Sequence, residues 1–204
     1  MTDVVIIDSG GANLASLVFA LRRLGTEAAV SRDAERIRGA SHVLLPGVGS
    51  AGNAMARLNA AGLKDVIPAL TQPVLGICLG MQLLYETSTE AEAGTASTRC
   101  LGVLPGSVER LQPSPQRPVP HMGWNRLVTQ QADPLFAGIA TTDYFYFVHS
   151  FAAPVGERSL ALTDYGANFS SAVRQRNFRG VQFHPERSAR PGARLLANFL
   201  GLER

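Results

Sequence analysis

The residue best placed to do chemistry is Cys78, in Gly76-Ile77-Cys78-Leu79-Gly80-Met81-Gln82. An apolar run, Pro73-Val74-Leu75, precedes it, as in a buried strand, and Met81, Leu84 and Tyr85 follow at helical spacing. A reactive side chain between strand and helix, with glycines close on both sides, is the layout of a nucleophile elbow. The glycines permit a tight turn and let a substrate approach the backbone. The helix start adds positive partial charge and free N–H groups beside the sulfur, which favours thiolate over thiol. The competing reading is a small buried hydrophobe.

A thiolate that attacks an acyl carbon needs a base and proton shuttle, and histidine is the usual one. Of His42, His121, His149 and His184, the last stands out through Gly180-Val181-Gln182-Phe183-His184-Pro185-Glu186. Pro185 biases His184 towards an extended conformation. Residues two apart in an extended segment project to one side, so Glu186 can sit beside His184. A carboxylate there would hold the imidazole in the right tautomer and stabilise its charged form. A surface His–Glu pair is the alternative.

These groups need a scaffold that brings distant segments together. Residues 3–8 read as a buried strand, followed by a turn at Ser9-Gly10-Gly11 and an amphipathic helix over 13–24, stopped by Gly25. Further strands are expected at 28–31, 42–45 and 74–77, with a helix over 53–60 and another after Cys78. Strand alternating with helix argues for a parallel, doubly wound sheet. Ligands sit at the carboxyl ends of such strands, where Ser9-Gly10, Gly47-Val48-Gly49 and Cys78 share one rim. From Cys100 onward the texture changes to short strands at 101–111, 125–128, 144–151, 160–164 and 171–175, an antiparallel second half, before a closing helix over 191–202. The proline-rich stretch 112–120 reads as an exposed loop without function.

Composition narrows the classes. At 204 residues the chain suits one well-buried domain, expected over 1–204. Two cysteines, Cys78 and Cys100, make no disulfide framework and agree with a reducing cytoplasm. The N-terminus lacks the basic start and long apolar stretch of a signal peptide, and no run is long enough to span a membrane. Net charge is +3, carried almost wholly by scattered arginines, with Lys64 the sole lysine. There is no lysine-rich arm or interleaved aromatic stripe, which argues against nucleic acid binding.

With Cys78 and His184-Pro185-Glu186 both in place, and Leu45-Pro46-Gly47-Val48-Gly49 between the first strands, the chain resembles the class I (triad) glutamine amidotransferases over nearly its whole length. Within that class it is similar to the glutaminase subunits of imidazole glycerol phosphate synthases, through Pro120-His121-Met122-Gly123-Trp124-Asn125, Tyr146-Phe147-Val148-His149-Ser150-Phe151 and 180–188. It departs from them at Ser9, where an aromatic is usual, at Ala12, usually glycine, and at Ala51, often phenylalanine.

The resemblance implies a three-layer, flavodoxin-like α/β fold with a mostly parallel central sheet and an added antiparallel portion. It implies glutamine hydrolysis to glutamate and ammonia, with Cys78, His184 and Glu186 as the triad and no cofactor or metal. Leu79 N–H, with Val48 or Gly49 N–H, would hold the oxyanion, and Gln82, Glu90 and the backbone around His149 and Ser150 would line the glutamine pocket. The implied partner is a (β/α)8-barrel cyclase of histidine biosynthesis, docked on a rim bearing Asn13, Trp124 and Arg187. Trp124 packed simply in the core is the other possibility. Rival readings are a glutaminase for another acceptor synthase, a cysteine hydrolase of similar fold, and a non-catalytic partner protein.

Overall fold

A computed structural model describes residues 3–9, 14–91, 95–129 and 131–202. Gly10, Gly11, Ala12 and Asn13, part of the expected first turn and rim, lie outside the described residues. The first half alternates strand and helix: β1 (Val4–Ile7), α1 (Leu14–Arg23), β2 (Ala28–Ser31), α2 (Ala34–Arg38), β3 (His42–Gly47), α3 (Ala51–Ala60), β4 (Val74–Cys78) and α4 (Leu79–Gln82). Strands dominate the second half. They are β5 (Tyr85–Ser88), β6 (Thr98–Arg99), β7 (Leu104–Arg110), β8 (His121–Arg126), β9 (Val128–Thr129), β10 (Tyr144–His149) and β11 (Phe151–Ala152). β12 (Ser159–Asp164), β13 (Asn168–Gln175) and β14 (Phe178–Val181) follow, and α5 (Ala189–Phe199) closes the chain.

The central sheet has eight strands in the order β2-β1-β3-β4-β14-β13-β12-β9. It is parallel from β2 to β14 and antiparallel beyond. β1 and β4 are apolar throughout because both faces are covered, as parallel sheets require. Val4, Ile6 and Leu44 face a core shared with Leu17 and Leu21 of α1 and Leu195, Leu196 and Phe199 of α5. Val5, Ile7, Val43 and Leu45 face the opposite core, with Ile37 of α2 and Met55 and Leu58 of α3. The result is a three-layer α/β fold. A smaller sheet, β11-β7-β5-β6, and a two-stranded ribbon, β10-β8, complete the second half. No helix among the described residues is long and apolar enough to cross a membrane.

One expectation needs correcting. The helix after Cys78 is a single turn, and Tyr85 begins a strand. Leu83, Leu84 and Tyr85 are all buried, so the spacing of Met81, Leu84 and Tyr85 reports immersion in the core rather than one helical face. Carbonyls there are taken by tertiary partners, with Leu101 N–H donating to Leu83 and Val103 and Leu104 N–H to Leu84. The proline-rich stretch is exposed but clasped: Arg117 pairs with Asp164 at 2.9 Å and the Tyr165 hydroxyl donates to Pro118 O at 2.8 Å. Its last residue, Pro120, reaches the cavity that Cys78 and His184 also line.

Candidate active site

Cys78 ends β4 with φ 53° and ψ −113°, a left-handed backbone that costs a β-substituted residue about 1–3 kcal/mol. The strain is held by packing, since α4 is pressed directly against β3. β14 runs parallel beside β4 with Gly180 opposite Gly76 and Val181 opposite Ile77. Continuing that register brings Gln182 alongside Cys78, and His184 follows on the same side two residues later. His184 is fixed there: its N–H donates to Tyr146 O at 2.9 Å, and Ser188 Oγ donates to its carbonyl at 2.6 Å. Ser188 Oγ also accepts from Tyr146 N–H, stapling the loop to β10.

The imidazole of His184 is hydrogen-bonded to the Cys78 sulfur on one side and to Glu186 Oε1 through Nδ1, at 2.8 Å, on the other. Burial alone would push His184 down. The Cys78 charge and hydrogen bond, and then Glu186, outweigh it and raise the group to about 10. At neutral pH the imidazole is therefore held protonated, between the sulfur and the carboxylate that orients it. Its contribution to stability is fully present below the unfolded histidine value and is lost as pH rises towards 10.

Above the three groups opens a cavity of about 430 Å³. Val48, Gly49 and Leu79, the expected oxyanion residues, line it where β3 and β4 end side by side. Ser9, just after β1, donates its hydroxyl to Pro46 O at 3.0 Å and is tied to this loop. Gln82, Glu90, His149 and Ser150 line the cavity as well. Glu90 Oε2 accepts from Ala51 N–H at 2.8 Å, at the start of α3, and burial raises its carboxyl despite that bond.

His149 belongs to a buried chain of neutral groups. Its Nδ1 donates to Phe151 O at 2.8 Å, which makes Nε2 an acceptor, filled by His121 Nδ1 at 3.0 Å. Asn125 Nδ2 closes the chain on His121 Nε2 at 3.4 Å. Burial lowers His149 to about 3, aided by the nearby His121 and His184 charges, and burial lowers His121 to about 4. The unfolded chain therefore binds more protons below pH 6.5, and stability falls with acid. At 1.36 kcal/mol per unit, the pair should cost roughly 2–4 kcal/mol between pH 7 and pH 5. Denaturant unfolding at both pH values, with imidazole NMR titration, checks this; a titration near 6.5 at either ring would refute it.

Of the three expected rim residues, Arg187 lines the cavity mouth and Asn13 lies outside the described residues. Trp124 is not core. It is 53% exposed, edge-on to Tyr146, over which the Arg187 guanidinium also sits. Met122 and Tyr144 are exposed on the same ribbon. Sequence reasoning assigned no role to Gln182, Pro120 or Val148, all near the sulfur or the cavity. A lone carboxamide between Val181 and Phe183, just ahead of His184, was the available signal for Gln182.

The glutamine amidotransferase class-I family model matches residues 5–201. The chain belongs to that family. It is 51% identical to the imidazole glycerol phosphate synthase subunit HisH of Xylella fastidiosa strain Temecula1, over 100% of this chain and 99% of the relative. Identity is again 51% to the subunit of that name from Xanthomonas campestris pv. campestris strain 8004, over 98% of each. A solved glutamine amidotransferase superposes with a TM-score of 0.72 at 23% identity, over 98% of this chain and 99% of the other, which supports the fold.

Proposed function

We propose that this chain is the glutaminase subunit of an imidazole glycerol phosphate synthase, hydrolysing glutamine and passing ammonia to a cyclase subunit in histidine biosynthesis. The observation that carries the chemistry is the contiguous Cys78, His184 and Glu186 set at the base of a cavity. Full-length similarity to the HisH subunits supports the acceptor.

Glutamine enters with its α-ammonium towards Glu90. Gln82 has its amide nitrogen committed to Phe151 O and Gln182 Oε1, so its oxygen is the end left for substrate. Cys78 thiolate attacks the side-chain carbonyl, and the oxyanion is met by Leu79 N–H with Val48 or Gly49 N–H. Each such donor is worth a few kcal/mol of barrier. Collapse breaks the C–N bond, His184 gives its proton to the departing ammonia, and a thioester remains. Water, deprotonated by His184, releases glutamate and restores the thiolate.

The cyclase docks on the ribbon face of Trp124, with Met122, Tyr144 and Arg187 around it, a large aromatic ringed by apolar and cationic groups. The working form is a cytoplasmic heterodimer with lyase activity. Glutamate release measured with and without a barrel cyclase tests the reading: stimulation of about tenfold or more is expected. Absence of release from wild type with the cyclase present would overturn it.

A further inference from the structure

Gln182 is fully buried at the end of β14, where a carboxamide is costly unless both its ends are bonded. Gln82 settles which end points where. Its nitrogen donates to Phe151 O at 2.7 Å and to Gln182 Oε1 at 2.9 Å, so Gln182 must show oxygen to Gln82 and nitrogen to the other side. On that other side lies Cys78 Sγ, 3.7 Å from Nε2, a hydrogen-bond distance for sulfur.

The sulfur's surroundings give this donor a purpose. Val148 O stands 3.8 Å away and accepts only from a thiol. Once the proton moves to His184, that contact becomes a lone pair facing a carbonyl oxygen, and it turns repulsive. The Gln182 N–H changes in the opposite sense, because a hydrogen bond strengthens when its acceptor becomes charged. The carboxamide therefore favours the ionised sulfur and turns it away from Val148 O.

We propose that Gln182, oriented by Gln82, is a functional donor to the nucleophile that stabilises the Cys78 thiolate and aims it at the acyl carbon. The assignment rests on the reading of Cys78 as the nucleophile and extends it. It gives the third residue of Gly180-Val181-Gln182-Phe183-His184 a role in the chemistry.

The test is the pH dependence of Cys78 alkylation by iodoacetamide, with the adduct located by peptide mass spectrometry to separate it from Cys100. Gln182→Met and Gln182→Leu keep the bulk and remove the donor. The expected result is a thiolate midpoint about one unit higher than in wild type, with kcat for glutamine about ten- to a hundredfold lower and KM within about threefold. Two differently shaped variants are used so that either one that folds carries the measurement. An unmoved midpoint in a folded variant overturns the proposal, and so does failure of both to fold, which would make the carboxamide purely structural. Wild type that releases no glutamate with a cyclase present would instead count against the proposed function, since the alkylation midpoint is read without turnover.

Discussion

Cys78→Ser should abolish glutamate release, by at least about a thousandfold, whether or not a cyclase is present. A hydroxyl in that position stays protonated at neutral pH, so the attacking anion is gone while the cavity keeps its shape. The variant should also change its neighbour. His184 is held up first by the charge and hydrogen bond of Cys78, against a burial that pulls it down, and Glu186 contributes less. Without the thiolate, burial faces only Glu186, so NMR titration should show the imidazole falling well below about 10. Loss of turnover with an unshifted His184 would mean that the sulfur and ring are not electrically coupled, and would break the mechanism at its first step. Retained turnover would remove Cys78 from the chemistry altogether.

Much of this site was legible because its logic is local. Gly76-Ile77-Cys78-Leu79-Gly80 specifies an elbow through the steric needs of its own residues, and His184-Pro185-Glu186 sets its own geometry through proline and the two-residue repeat of an extended chain. The parallel sheet followed from apolar runs separated by helical spacing, and β2 matches the expected 28–31 residue for residue. The length of α4 was not legible, because Leu83 to Tyr85 satisfy their backbone through 101–104, distant in sequence. The role of Gln182 depends on the register between β14 and β4, and that register exists only once the sheet is assembled. Trp124 is a third case. Alternation along β8 gives His121 to the interior and Met122 and Trp124 to the surface, but which face of a ribbon is buried depends on the layer beneath it.

Gly80→Ala should remove the ordered fold as well as the activity. A β-carbon on Gly80 would lie 1.7 Å from Leu45 O and 2.7 Å from its carbonyl carbon, both backbone atoms of a central strand flanked on each side. Nothing flexible can yield there, unlike ordinary overpacking, which costs about 1–3 kcal/mol. To make room α4 would have to rise off β3, and the chain immediately before it is Cys78. Lifting the turn would open the strained elbow and carry the sulfur away from His184. The expected cost exceeds about 5 kcal/mol, comparable with the whole stability of a typical domain. Gly62→Ala is the control: φ is +69° but nothing lies within 4 Å, so only backbone strain applies, about 1 kcal/mol. Thermal unfolding and glutamate release of the two variants decide the matter. A Gly80→Ala protein that melted with wild type and still turned over glutamine would show that the close crossing of α4 over β3 does not hold the nucleophile, and the account of how this fold positions its sulfur would fail.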